Sequence, residues 1–198
     1  MELKRRAYQI SDKLHHLAEP VSKVIAKTGV PPNAVTFFGF GLNIVAAWLL
    51  ATGHFLLGGF MILIAGVFDL LDGALARVTG KSTTFGALLD STIDRYSEAV
   101  LLFGLLFYFA RRHDTTEVIL IFATMVGSMI ISYARARAEG LGLDAEVGIM
   151  RRTVRICTLA LGLLINQVLA ILWILAILTN FTAWQRLFYV WRKSGKQG

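Results

Sequence analysis

Cysteine is nearly missing from this chain of 198 residues: Cys157 is the only one, so no intramolecular disulfide can form. It lies in an apolar stretch, where a small buried filler is expected rather than a nucleophile. Histidine is also scarce. His15, His16, His54 and His113 have no metal-ligand spacing among themselves, so interfacial or loop positions are expected for them. There are three prolines, and Pro31-Pro32-Asn33 marks a turn into the first long apolar run. Pro32 suits the first turn of a helix, where a missing N–H matters little. No long linker, low-complexity tract or internal repeat is detectable. Residues 1–30 lack the apolar core and small-residue cleavage site of a secretory signal.

Apolar residues, by contrast, are in excess. They make up 56% of the chain, and the mean hydropathy is +0.62. A bilayer span needs about 20 apolar residues. Such windows occur near 35–53, 56–76, 85–110, 117–136, 153–168 and 169–190. The expectation is an all-α integral membrane protein with six transmembrane helices. Only Asn166 and Gln167 separate the last two, so 153–190 could equally be one long bent region. Residues 1–30 read as a basic juxtamembrane segment, 31–192 as one membrane domain and 193–198 as a basic tail. In the first segment Tyr8, Ile10, Leu14 and Leu17 can form the apolar stripe of an interfacial amphipathic helix.

The net charge of +7 raises the possibility of nucleic acid, but its distribution fits membrane topology. With the N-terminus inside, all of the 20 Lys and Arg except Arg111 and Arg112 fall in cytoplasmic regions. An even number of spans with both termini in the cytoplasm satisfies the positive-inside rule. The expected contacts are membrane lipids with anionic headgroups, and not nucleic acid.

Four aspartates interrupt this apolar pattern: Asp69, Asp72, Asp90 and Asp94. Carboxylates in a membrane segment are expensive and point to function. Asp69, Asp72, Gly73 and Ala76 share one helical face, and so do Gly86, Asp90 and Asp94. The connection between them is short, so the two helices should be antiparallel neighbours with the carboxylates converging near their cytoplasmic ends. Gly73, Ala76 and Gly86 leave room for close approach. Four bare carboxylates in one pocket repel. Hard divalent cations relieve this, and an all-oxygen ligand set suits Mg²⁺, Mn²⁺ or Ca²⁺. Two such ions form the usual clamp for in-line displacement at phosphorus, and Arg77 can neutralise phosphate oxygens. A phosphoryl-transfer enzyme is the reading these residues favour. A divalent-cation transporter using the same carboxylates is the rival class.

The spacing Asp69-x2-Asp72-Gly73-x2-Ala76-Arg77-x8-Gly86-x3-Asp90-x3-Asp94 resembles the signature of the CDP-alcohol phosphotransferase family at every specified position. That resemblance implies a six-helix membrane enzyme that transfers a substituted phosphate from a CDP-linked donor to an alcohol and releases CMP. It implies two Mg²⁺ (or Mn²⁺) ions per active site on Asp69, Asp72, Asp90 and Asp94, with Asp94 also the base on the acceptor hydroxyl. It places Gly73, Arg77 and Thr83 on the donor. The segment Pro32-Asn33-Ala34-Val35-Thr36 resembles the family's nucleotide-side motif, although Asn33 and Thr36 are also suited to capping the helix there. The apolar surroundings suggest a lipid donor, CDP-diacylglycerol or an ether counterpart. Symmetric homodimers in the cell membrane, with the active site facing the cytoplasm, are a further implication.

The acceptor has to be read from other polar groups. The stretch Ile131-Ser132-Tyr133-Ala134-Arg135-Ala136-Arg137-Ala138-Glu139 resembles that of prokaryotic phosphatidylinositol-phosphate synthases, and so does Gln185-Arg186-Leu187. By that resemblance Ser132, Arg135, Arg152, Arg155 and Arg186 would hold a phosphorylated polyol, inositol phosphate. The segment Arg151-Arg152-Thr153-Val154-Arg155 departs from the Glu-Arg-Pro-Glu-Arg common there, and Arg135 stands where Lys is common. Phosphatidylglycerophosphate synthase, with glycerol 3-phosphate as acceptor, is the alternative.

Overall fold

A computed structural model describes residues 20–143 and 147–194, and the described residues are all-α. Residues 20–27 are helical and are labelled α1. It is followed by α2 (Pro32–Ala51), α3 (Phe55–Val78), α4 (Thr84–Arg111), α5 (Thr115–Gly140), α6 (Arg152–Leu164) and α7 (Val168–Ser194). The stripe expected at Tyr8, Ile10, Leu14 and Leu17 lies outside the described residues. At the other end Lys193 belongs to α7 and not to a tail.

The breaks between helices follow from local backbone chemistry. α3 ends in a Schellman motif: Gly80 takes the left-handed conformation (φ +64°). The Lys81 N–H then reaches the Ala76 carbonyl at 3.1 Å and the Gly80 N–H reaches Arg77 at 3.2 Å. α4 starts on an N-cap, with the Thr83 hydroxyl accepting from the Gly86 N–H at 2.9 Å. Asn166 separates α6 from α7. Its φ is +54°, and the Gln167 N–H closes on the Gly162 carbonyl at 2.8 Å. Residues 153–190 are therefore two helices, not one bent region.

Among the described residues four helices, α2, α3, α5 and α7, are long and apolar enough to cross a bilayer. Beyond α1 the described helices number six, but α4 and α6 fall outside these four, for two reasons. α4 has 28 residues, but Asp90, Asp94, Arg95 and Glu98 interrupt its apolar run. α6 has 13 residues, or about 20 Å at about 1.5 Å per residue, against a hydrocarbon core of about 30 Å.

The chain divides into two compact units, Met1–Val45 with Met61–Ser97, and Ala46–Phe60 with Glu98–Gly198. In the first, Val35, Leu71, Ala74 and Leu75 form a core against which Ile25, Ala26 and Phe68 pack. In the second, α5 and α6 both pack on α7. A Cβ on Gly127 of α5 would lie 2.5 Å from the Thr179 hydroxyl of α7. The Asn180 amide donates to the Ala123 carbonyl at 3.0 Å across the same seam. Small residues and interhelical polar bonds of this kind hold helices together where lipid supplies no hydrophobic drive. Cys157 departs from the expectation of a buried filler: it is exposed. On α6 the inward face is taken by Arg155, Leu159, Ala160 and Leu163, and Cys157 points away from it.

Candidate active site

Asp69 and Asp72 stand one turn apart on α3, and Asp90 on α4 comes to meet them. One carboxylate oxygen from each lies within 4.8 Å of the others. Asp72 is 4% exposed, and its Oδ2 is buried without a hydrogen-bond partner. An orphaned buried carboxylate oxygen is costly, and three like charges at this separation add repulsion. The donor set is entirely oxygen, so these residues fit a hard divalent cation. Asp94, one turn beyond Asp90 on α4, is half-buried and does not join that three-carboxylate group.

Beside the carboxylates is an open cavity of about 190 Å³. α2 contributes Pro32, Asn33 and Thr36 to its wall, α3 contributes Asp72, Gly73, Ala76 and Arg77, and α4 contributes Gly86, Ala87 and Asp90. Of its two glycines, only Gly86 is tight against a neighbour. A Cβ on Gly73 would sit 3.7 Å from Arg77 Nη1, and one on Gly86 would sit 3.0 Å from the Thr83 hydroxyl and 3.6 Å from Asn33 Oδ1. Thr83 both lines the cavity and caps α4. Thr36 is not a cap, because its hydroxyl donates back to the Pro32 carbonyl at 3.3 Å from within the helix.

Not every residue expected at the donor reaches the wall. Val35 is 7% exposed and belongs to the first unit's core, and Ala34 is exposed and does not line the cavity. Lys81 and Ser82 do line it and were missed. The available signal was their place in the connection between the two aspartate-bearing helices.

The second unit holds the residues expected at the acceptor. Ser132 is half-buried and Arg135 exposed on α5, and Arg135 donates to Glu139 at 2.7 Å. Arg152 is half-buried at the start of α6. Arg186 is 5% exposed. Its Nε donates to the Val147 carbonyl and its Nη1 to the Ile131 carbonyl, each at 2.7 Å. These are neutral partners for a buried cation, and Arg135, Arg151 and Arg155 are close enough to act on it electrostatically. Such a group of guanidiniums suits an anion. Arg155 differs from the rest. It is 3% exposed and gripped at both ends of its fork by Glu98, at 2.7 and 2.6 Å. Glu98 was not singled out from the sequence, since nothing in local spacing links it to an arginine 57 residues away.

Comparison with known proteins agrees with this picture. Residues 30–187 match the family model for CDP-alcohol phosphatidyltransferase. The chain is 37% identical over 181 residues to an archaetidylinositol phosphate synthase of Pyrococcus horikoshii, covering 91% of this chain and 94% of that one. It is 34% identical over 183 residues to a phosphatidylinositol phosphate synthase of Mycobacteroides abscessus, covering 88% and 83%. Among solved structures, it is similar to the phosphatidylinositol phosphate synthase of Mycobacterium tuberculosis with CDP-DAG bound, with a TM-score of 0.83, 32% identity and coverage of 89% and 94%. The same mycobacterial protein in complex with manganese and citrate gives a TM-score of 0.82 at 32% identity, covering 88% of each chain.

Proposed function

Because this chain belongs to the CDP-alcohol phosphatidyltransferase family, we propose that it moves the phosphatidyl group of CDP-diacylglycerol, or of an ether counterpart, to a hydroxyl of inositol phosphate and releases CMP. The observation that carries the reading is the buried Asp72 oxygen without a partner, set among Asp69 and Asp90 at the wall of a cavity that also presents Arg77.

Asp69, Asp72, Asp90 and Asp94 would hold two divalent cations, Mg²⁺ or Mn²⁺, which when bound neutralise the donor pyrophosphate and the charge that develops on the leaving group. Arg77 binds and orients a donor phosphate by charge-assisted bonds. Asn33, Thr36, Gly73 and Thr83 shape the nucleotide side of the same cavity. The neighbouring Pro32, Ala34 and Val35 set the start of α2. Asp94 takes the proton of the acceptor hydroxyl as that oxygen attacks the lipid-linked phosphorus. The new P–O bond forms, the bond to the CMP phosphate oxygen breaks, and CMP leaves. Ser132, Arg135, Arg152 and Arg186 orient the acceptor, with its phosphate on the guanidiniums. Arg155 contributes through the fork it shares with Glu98.

The topology proposed with this chemistry has six spans, α3 and α4 bringing the aspartates to the cytoplasmic face, both termini inside, in a homodimer in the cell membrane. The position of almost all Lys and Arg supports the orientation.

The test is CMP release from CDP-diacylglycerol by the purified chain with inositol phosphate, inositol, glycerol 3-phosphate or serine. Inositol phosphate should be the preferred acceptor. A preference for glycerol 3-phosphate would move the acceptor assignment and keep the reaction. Metal flux in liposomes with no CMP from any acceptor would sink the enzyme reading in favour of a transporter.

A further inference from the structure

Within the second unit, the backbone segment 147–150 that leads into α6 is tied down by two buried arginines. Arg186 holds its first residue through the Val147 carbonyl at 2.7 Å. Arg155 holds its last through the Met150 carbonyl, which accepts from Nη1 at 2.9 Å. Gly148, between them, has φ +123°, and a Cβ there would sit 2.5 Å from Thr182 Cγ2, so this path of the chain excludes a side chain. Arg151 and Arg152 follow directly, at the N-cap and first residue of α6.

Arg155 can hold Met150 only if its own guanidinium is fixed, and Glu98 does the fixing. Both Arg155 and Glu98 are buried, at 3% and 5% exposure, and the pair is bidentate through Nε and Nη2. A bidentate carboxylate sets the plane as well as the place of a guanidinium. Stability is a weak reason for such a pair, because well-packed apolar residues of the same volume often do as well.

We propose that Glu98 is a positioning residue for the acceptor: through Arg155 and the Met150 carbonyl it sets the segment that presents Arg151 and Arg152 to the acceptor's phosphate. This rests on the acceptor reading above. Glu98 itself touches neither substrate. Its loss weakens acceptor binding and leaves the donor side alone.

The experiment compares Glu98→Gln and Glu98→Asp with the unaltered full-length protein in the CMP-release assay, varying donor and acceptor separately. Binding of inositol phosphate is measured in parallel by calorimetry. Glu98→Gln should raise the acceptor KM and the calorimetric Kd by roughly tenfold or more, with donor KM changed by less than about twofold. Glu98→Asp keeps the charge on a shorter arm and should fall between. If Glu98→Gln does not purify as a folded protein, Glu98→Asp carries the test, and an acceptor KM unchanged in it overturns the proposal. Equal losses on donor and acceptor, or a lower melting temperature with both KM values unchanged, would show a merely structural pair. If the unaltered protein prefers glycerol 3-phosphate, the acceptor assignment fails, and the Glu98 comparison is decided with that acceptor. If no acceptor binds or reacts, both proposals fail together.

Discussion

Replacing Asp72 by Asn should make the metal-free protein more stable and the enzyme inactive. Oxygen atoms of Asp69, Asp72 and Asp90 lie within 4.8 Å of one another. Two unit charges at about 4.8 Å repel by about 3.5 kcal/mol at an effective dielectric constant of about 20. Asp72 meets two such neighbours, and its Oδ2 has no hydrogen bond to lose. Water and counterions in the open cavity reduce the repulsion, so a net gain of about 1–3 kcal/mol is expected from removing the charge. Asn is nearly isosteric, so the local packing should survive. The ion response should move the opposite way. A ligand at about 100 times its Kd stabilises the folded state by about 2.7 kcal/mol, and most of that increment should vanish in the variant. The assay is thermal melting of purified protein in detergent, first with a chelator and then across a Mn²⁺ titration, alongside CMP release. A variant that melts below the parent in chelator, or that keeps the full Mn²⁺ increment, would refute the reasoning.

Other substitutions test the remaining parts. Asp94→Asn should abolish CMP release while CDP-diacylglycerol binding stays largely intact; substantial residual turnover defeats the assignment of Asp94 as base. Arg77→Ala should remove a charge-assisted contact to the donor, about 1.5–3 kcal/mol, and raise the donor KM correspondingly; unchanged donor KM and kcat would contradict it. Arg186→Gln should raise the acceptor KM and lower the melting temperature, since it weakens the bonds to the Val147 and Ile131 carbonyls; an unaltered melt and acceptor KM would count against both roles. Gly104→Ala should destabilise by about 1–3 kcal/mol through overpacking, because its Cβ would run into the Ala47 backbone. Both KM values should stay put in the protein that remains folded, and a change confined to one of them would show that the contact also shapes a site.

Much of the fold was legible because its determinants are local. Long apolar runs make helices, and Gly80 and Asn166 end them by taking left-handed conformations that close Schellman turns. The three-carboxylate group was legible for a similar reason. Asp69 and Asp72 share a helical face, a short connection follows, and Asp90 is placed to face them. Which way a residue points once helices pack was not legible. Val35 sits within the expected donor segment but turns to the core, and Cys157 sits in an apolar run but is exposed. The ends of the spans were less legible, because hydropathy windows run through helix ends. They took in the charged residues of α4 and lengthened α6 beyond its 13 residues.

By itself the sequence determined the helices, their breaks and the aspartate faces, since each follows from periodicity and turn chemistry within a few residues. Only the tertiary structure decided what the arginines do. Arg155 meets Glu98 across 57 positions, and Arg186 meets the Ile131 carbonyl across 55 and the Val147 carbonyl across 39. A guanidinium in an apolar segment must find a partner, but the spacing along the chain does not say whether that partner is a carboxylate, a carbonyl or a substrate phosphate. Packing brings the partner to it, and packing is a property of the folded chain.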